Sequence, residues 1–380
     1  MVPTSMAKGW GRSLFVCGLG IAGIVASAAC SSTGVPASKD GGATSSCASA
    51  PTVEDTSLQQ CAGCSTTSTC TSAEPLQACC TWVAQPHDAL ADGIGLHRYS
   101  TSNTGATPDI SCLTGAPAAL GTTKMVTLTG YVWAFSSGGQ GNGTAGVKVE
   151  VYTENHPTTP DGSISSAPLP SSYTTSTMDP IDPVDTTWNS KCPDGCSYRQ
   201  YTIQNVPTET PLVIKTSDAG SNQWTTLYDY NIYFKNSDVQ NGQVSYDATA
   251  VAGADPSTVA GAVGLTVQGG MGLLAGEVHD CSDIRLFGAT VETTEAHGGP
   301  LLYFTEDESN PLPTLAAHDT SHLGLYGALN MQPNTPFNVT SVGQDPANPG
   351  QFLMLGTYVV QVYPDAVTAV VLRGRRPWQP

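Results

Sequence analysis

Basic residues are scarce in this chain: 14 Lys and Arg stand against 31 Asp and Glu, a formal net charge of −17. Phosphate backbones are held by Lys and Arg, so the shortage argues against nucleic acid as a partner. Charged residues of both signs reach only 12%, and the Ala-Leu-Glu-Lys heptads of a helical bundle are missing. Beyond the first 30 residues no apolar run approaches the ~20 residues of a spanning helix. The sequence also has no Gly-x-Ser-x-Gly elbow, P-loop or dinucleotide fingerprint. A triad around Asp319 can be drawn on paper, as in many chains, and carries little weight. These gaps leave a non-enzyme as the leading expectation.

What is plentiful is turn chemistry. The 380 residues include 40 Gly and 27 Pro, with abundant Ser and Thr. Such a composition predicts an all-β protein with many turns. The acidic balance suits solubility at a surface, and cations or basic partners.

The N-terminus predicts export. Lys8 and Arg12 precede an apolar stretch, residues 13–29, that ends in small residues before Cys30. A positive region, a short apolar region and a small-residue cut site make a signal peptide over residues 1–29. A cysteine directly after the cut resembles the lipid-modified cysteine of bacterial lipoproteins. That resemblance implies a membrane anchor at Cys30 and an outer-membrane or cell-surface location. Ser27 stands where the lipoprotein pattern prefers Leu, and Ala26-Ser27-Ala28 also suits an ordinary signal peptidase. A secreted or periplasmic chain without lipid is therefore the alternative.

Cysteine usage agrees with export. Setting aside Cys17 and Cys30 leaves ten of the 12 Cys: Cys47, Cys61, Cys64, Cys70, Cys79, Cys80, Cys112, Cys192, Cys196 and Cys281. An even number in an oxidising compartment reads as disulfides, with connectivity open. Cys192 and Cys196 enclose a tight Pro-Asp-Gly turn and suit a local bridge. The Cys61-Ala62-Gly63-Cys64 spacing also fits a metal knuckle or redox motif, but export and the lack of a βαβ pattern favour structural bridges.

Residues 30–57 read as a flexible tether, and 58–121 as a Cys-rich neck with an irregular lead-in. From residue 122 the pattern becomes strands. Residues 126–133 and 147–152 alternate in period two, which puts one face in a core. A first β-sandwich is expected over 122–250. A linker over 251–269 carries a short helix with Asp255 as N-cap and Pro256 in its first turn. A second sandwich is expected over 270–380, because the pattern recurs. Residues 274–280 parallel 128–134, 288–293 parallel 146–151, Tyr326 and Asn330 parallel Tyr201 and Asn205, and 336–339 parallel 211–214.

The second copy carries Gly276, Val278, Asp280, Gly288-Ala289, Asp319, Gly324, Tyr326, Asn330, Pro333 and the run Gly356-Thr357-Tyr358-Val359-Val360-Gln361-Val362. The first keeps Gly130, Val132, Gly146-Val147, Asp194-Gly195, Tyr201 and Asn205-Val206-Pro207. Each copy resembles the carboxypeptidase regulatory-like domain, a transthyretin-like, Ig-like β-sandwich. The resemblance implies tandem non-catalytic modules that act as scaffold or adhesive units, binding an extracellular protein or glycan.

The remaining candidates concern metal and ligand. His318 and His322 have the i, i+4 spacing of a helical zinc pair but lack the Glu of zinc proteases. With His279 they define the alternative function, a metal-dependent cell-envelope hydrolase. Asp179, Asp182 and Asp185 place three hard oxygen ligands in a Pro-rich loop suited to Ca2+. The leading reading needs no cofactor. Trp188, Tyr198, Trp224, Tyr228 and Tyr230 are either a binding edge or, more simply, core and corner residues. Residues 373–377 form the only basic cluster and read as a solvated tail.

Overall fold

Alternation builds the first strand. In β3 (Met125–Ala134), Val126, Leu128, Gly130 and Val132 are buried while the residues between them are partly exposed. The computed structural model describes residues 59–60, 95–98, 107–113, 119–135, 144–155, 162–175, 199–307, 311–348, 351–374 and 376–378, all within the unit Ser45–Pro380. Two short strands precede β3: β1 (Gln59–Gln60) and β2 (His97–Arg98). The first half continues with β4 (Val147–Thr153), β5 (Tyr173–Thr174), β6 (Arg199–Pro207), β7 (Leu212–Asp218), β8 (Trp224–Thr225), β9 (Leu227–Ile232), β10 (Gln243–Ser245) and β11 (Ala248–Ala252). Helix α1 (Asp255–Ala262) leads to β12 (Gly272–Val278), β13 (Leu286–Phe287), β14 (Ala289–Thr293), β15 (Leu302–Phe304), β16 (Pro313–Thr314), β17 (Leu325–Met331), β18 (Pro336–Gln344), β19 (Gln351–Gln361) and β20 (Val367–Leu372).

The all-β expectation holds, and both sandwiches are present. In the first, β3 lies between antiparallel β6 and the parallel pieces β10 and β11, with β8 beyond β11. This sheet packs on β4, β7 and β9 through Val126, Leu128, Val149, Val151, Leu212 and Ile214. In the second, β1, β19, β18 and β14 form one sheet. It packs on β12 and β20 through Val291, Val339, Val360, Leu274, Val278 and Val370.

The sandwiches are not separate beads. A nine-stranded sheet runs β16-β15-β17-β12-β20-β9-β7-β4-β5. Strand β20 pairs in parallel with β12 on one side and with β9 on the other. One sheet of each sandwich is thus half of a single sheet. Its far face also enters the second core, where Tyr152, Val213 and Tyr230 join Tyr358 and Val362. On the near face a third cluster packs Ala260 of α1 on Leu273, Leu302, Phe304 and Leu329.

The repeat is visible in three dimensions. Gly130 pairs across the sheet with Tyr201, and Gly276 with Tyr326. Each tyrosine passes over its glycine and donates to a carbonyl of the next strand region: Tyr201 to Tyr246 at 2.7 Å, Tyr326 to Val370 at 2.9 Å. A Cβ at either glycine would stand 1.7 Å from the Tyr246 oxygen or 2.1 Å from the Val370 oxygen. Only glycine admits that approach. Asn205 and Asn330 lie near the ends of the equivalent strands in the same left-handed conformation, φ 60° and 56°.

Two expectations need correction, and the simpler reading of the aromatics holds for those described. Helix α1 is capped at Ala254 with no side-chain cap, and the Asp255 carboxylate instead accepts the Ala252 N–H at 3.0 Å. The preceding strand β11 supplies the nearer orphan donor, so Asp255 turns back to it. Tyr230 is fully buried, Tyr228 stacks on Tyr363 with ring centres 4.0 Å apart, and the Trp224 indole donates to the Ala145 carbonyl at 3.0 Å. These aromatics serve cores and corners, while Trp188 and Tyr198 lie outside the described residues. Lastly, the C-terminal segment is no solvated tail. Arg376 and Trp378 are buried, and Trp378 meets Tyr233 and Tyr358 edge-on. The lead-in also packs on the second sandwich: β2 pairs with β13, Leu96 is fully buried, and Cys112 is disulfide-bonded to Cys281.

Candidate functional site

On the near face of the shared sheet, the cover of the first sandwich stops at β10–β11 and the cover of the second begins at α1. Between them lies a cleft of about 790 Å³. Its floor is β9, β20, β12, β17 and β15, and its wall is the segment from Val244 to Val251.

Strand register gives the floor its shape. Asp229 pairs with Ala369, Ala369 with Ala275, and Ala275 with Gly327. Cross-strand partners share a face, so these four form one row across four strands. Leu227, Val367 and Leu273 form the parallel row on one side. Val371, Glu277 and Leu325 form it on the other. Small residues between two rows of larger ones make a trough. Strand spacing of ~4.8 Å makes it ~14 Å long from Asp229 to Gly327. Phe304 closes the far end, lying 3.7 Å from where a Gly327 Cβ would be, and Phe135 meets the Phe304 ring edge-on at 6.5 Å.

Asp229 stands at the head of the trough and is 8% exposed. Its Oδ2 accepts a hydrogen bond from the Tyr246 hydroxyl of the wall. The Tyr246 bond is the one hydrogen bond of this carboxylate among the described residues, and Asp229 lines the cleft. Burial pushes the carboxyl up to about 7, opposed by the Tyr246 hydrogen bond and reinforced by the charge of Glu277.

Beyond Glu277 the cleft ends in an ion-pair chain. Glu277 takes a fork of hydrogen bonds from Arg285, at 2.9 and 3.1 Å. It also meets His279 Nε2 at 2.6 Å, and His279 Nδ1 meets Asp283 at 2.8 Å. Asp283 pairs in turn with Arg373. Against the penalty of burial, the hydrogen bond from His279 and the charge of Arg285 hold Glu277 at about 2. The same balance holds Asp283 well below the usual carboxylate range through His279 and Arg373. His279 is raised, because hydrogen bonds to Asp283 and Glu277 outweigh its desolvation. Arg376 lies alongside, donating to the side chain and the carbonyl of Asn231. Asn231 is left-handed, φ 64°, and its amide bonds the Val371 carbonyl, tying β9 to β20 at the charged end. Basic residues of the 373–377 cluster are therefore part of the cleft.

His318 and His322 do not share a helix. Residues 318–324 are bends and turns, with Gly324 N–H bonded to the Ser321 carbonyl at 2.9 Å. His322 is buried against Phe287 and its Nδ1 is 3.2 Å from Glu306, whereas His318 is half-buried. Among the described residues no group of three or more His, Cys, Asp or Glu is arranged to hold a metal. Of the candidate cysteines, Cys112 and Cys281 are joined, with Cα atoms 5.5 Å apart. Beside them Asp280 accepts the Asp109 N–H at 2.9 Å and pairs with Arg98 at 2.7 Å. Cys30, Cys47, Cys61, Cys64, Cys70, Cys79, Cys80, Cys192, Cys196, Asp179, Asp182 and Asp185 lie outside the described residues.

Sequence reading found His279 and missed Asp229, Tyr246 and Glu277 as a group. The available signal was a single Asp inside the apolar-aromatic run 227–234. A charge in such a strand asks for a partner.

No protein-family model and no curated protein matches this chain. Among solved structures it has weak similarity to Gram-positive pilins. The shaft pilin SpaA of Lactobacillus rhamnosus GG is 13% identical, over 67% of this chain and 100% of that one, with a TM-score of 0.20. The major pilin SpaD of Corynebacterium diphtheriae is 8% identical, over 62% and 65%, with a TM-score of 0.20. A streptococcal ancillary pilin is 10% identical, over 66% and 63%, with a TM-score of 0.17. Scores this low carry no argument about the cleft.

Proposed function

We propose that the protein is an exported, non-catalytic surface module that binds an extracellular protein or glycan in the cleft between its two sandwiches. The observation that carries this reading is the cleft itself: a lined concavity of about 790 Å³ on a sheet shared by both halves. Ligand sites favour such concave junctions with apolar walls and a few convergent polar groups. The shared sheet supports a stiff site, because β20 hydrogen-bonds to both halves. Export rests on the signal-like N-terminus, with a lipid anchor at Cys30 placing the module at the cell surface. The resemblance to regulatory-like modules fits a scaffold or adhesive role.

The test is a glycan and peptide array probed with wild-type protein and with Ala275→Leu, which fills the trough. Partners that bind wild type and lose binding to the filled variant support the reading. An empty array, or partners indifferent to Ala275→Leu, overturns it.

A further inference from the structure

We propose that the cleft binds a primary ammonium group carried on an apolar stem, with the ammonium on Asp229 Oδ1 and the stem along the trough of Ala369, Ala275 and Gly327. The inference rests on the cleft being the binding surface and names the chemistry it takes.

Four observations converge on it. The first is the buried carboxylate at the head of the trough. Asp229 is more than nine-tenths buried, lines the cleft, and leaves one oxygen without a hydrogen-bond partner among the described residues. An acceptor that lines the cleft without a protein donor is available to a cationic donor of a ligand. The second is the path away from it. The trough is narrow, floored by two alanines and a glycine, and bordered by Leu227, Val367 and Leu273 on one side. That accommodates methylene groups and little else. The third is the aromatic stop at Phe304 and Phe135, which gives the stem an apolar end. The fourth is charge. Five carboxylates line the cleft against two arginines and His279. Arg376 is occupied by Asn231, Arg373 by Asp283, and His279 lies between two carboxylates. Asp229 is the acid of that end with no basic side chain on it among the hydrogen bonds and ion pairs described. A carboxylate ligand would meet Asp229 and Glu277 with like charge, and a neutral sugar would leave the apolar floor uncovered.

A lysine side chain of a partner protein and a free alkylamine present the same group, so the experiment carries both. Binding of n-hexylamine and of Nα-acetyl-lysinamide is measured by calorimetry at pH 8, with n-hexanol as the neutral analogue. Asp229→Asn keeps the shape and removes the charge. Ala275→Leu keeps Asp229 and fills the trough. Near-UV circular dichroism confirms that each variant is folded.

Wild type is expected to bind hexylamine and not hexanol. Asp229→Asn is expected to weaken hexylamine by about tenfold or more, the range of one charge-assisted hydrogen bond. Ala275→Leu is expected to abolish binding. Binding of hexylamine alone assigns a free amine, and binding of acetyl-lysinamide as well assigns a lysine side chain. No amine binding by wild type, equal binding of hexanol, or unchanged affinity in a folded Asp229→Asn overturns the inference and leaves Asp229 as a bridge to Tyr246 only. Array partners that remain sensitive to Ala275→Leu would then preserve the cleft as a binding surface with a different ligand. If Ala275→Leu does not fold, Asp229→Asn with hexanol decides alone.

Discussion

Replacing Asp229 by Asn should make the stability difference between variant and wild type depend on pH. The carboxyl lies at about 7 in the folded protein and at an ordinary 3.8 when unfolded. The folded state therefore holds its proton more tightly. Stability from the protonated carboxyl is fully present below the unfolded value and is lost as pH rises towards about 7. A shift of roughly three units corresponds to about 4 kcal/mol, with a slope near 1.4 kcal/mol per pH unit in between. Asn does not titrate, so its stability lacks this slope. Glu277, Asp283 and His279 titrate in both proteins and largely cancel in the difference. The assay is urea unfolding of both proteins from pH 4 to pH 8. Wild type minus variant should fall by about 3–4 kcal/mol across that range and level off above about pH 7. A flat difference, or a fall complete below pH 5, would refute the argument that the site desolvates Asp229.

Gly130→Ala and Gly276→Ala should each cost at least about 3 kcal/mol, because the new Cβ would drive into a carbonyl oxygen of the neighbouring strand region; thermal melts check this. Replacing Cys112 and Cys281 together by Ser should cost about 2–5 kcal/mol in oxidised protein and nothing under full reduction, since the bridge closes a separation of 169 residues. His279→Ala should lose stability mainly at acid pH. The raised imidazole contributes fully below its unfolded value of 6.5, and that contribution disappears as pH climbs through the folded value. Unfolding at pH 5.5 and pH 9 should show the larger loss at pH 5.5, and an equal loss at both would contradict the ion-pair account.

The strands were legible because their signal is local. Period-two alternation at 126–132 puts Val126, Leu128 and Val132 on the buried face of β3. The repeat was legible because the glycine–tyrosine device constrains identity at both members, so Gly130–Tyr201 and Gly276–Tyr326 stand at matching places. The cleft was not legible. Its floor depends on which strand lies beside β9, and β20 is 135 residues away from it in sequence, counting from Val367 back to Ile232. No periodicity reports that pairing. Arg373 and Arg376 looked like a tail because a basic cluster near a C-terminus usually is one. Their burial follows from β20 carrying the chain back across the sheet, where Asp283 and Asn231 meet them.

The placement of β20 also explains why the site has both an apolar and a charged end. A parallel strand inserted between β12 and β9 aligns two sheets whose other covers face different ways. The first sandwich covers its half of the near face with β3, β10 and β11, and the second covers its half with α1. Val251 of β11 and Ala260 of α1 reach the cluster that holds Val367 of β20, while Ala369 and Ala275 beside it line the cleft. A large residue there would fill the gap from below. Ala369 and Ala275 instead leave it empty, and Asp229 stands at its edge where Ile214 of the first core ends. A protein under selection for stability alone gains from filling such a trough with leucine and removing the buried acid. A trough kept narrow, with an acid at its head and aromatics at its foot, is the arrangement a binding site requires.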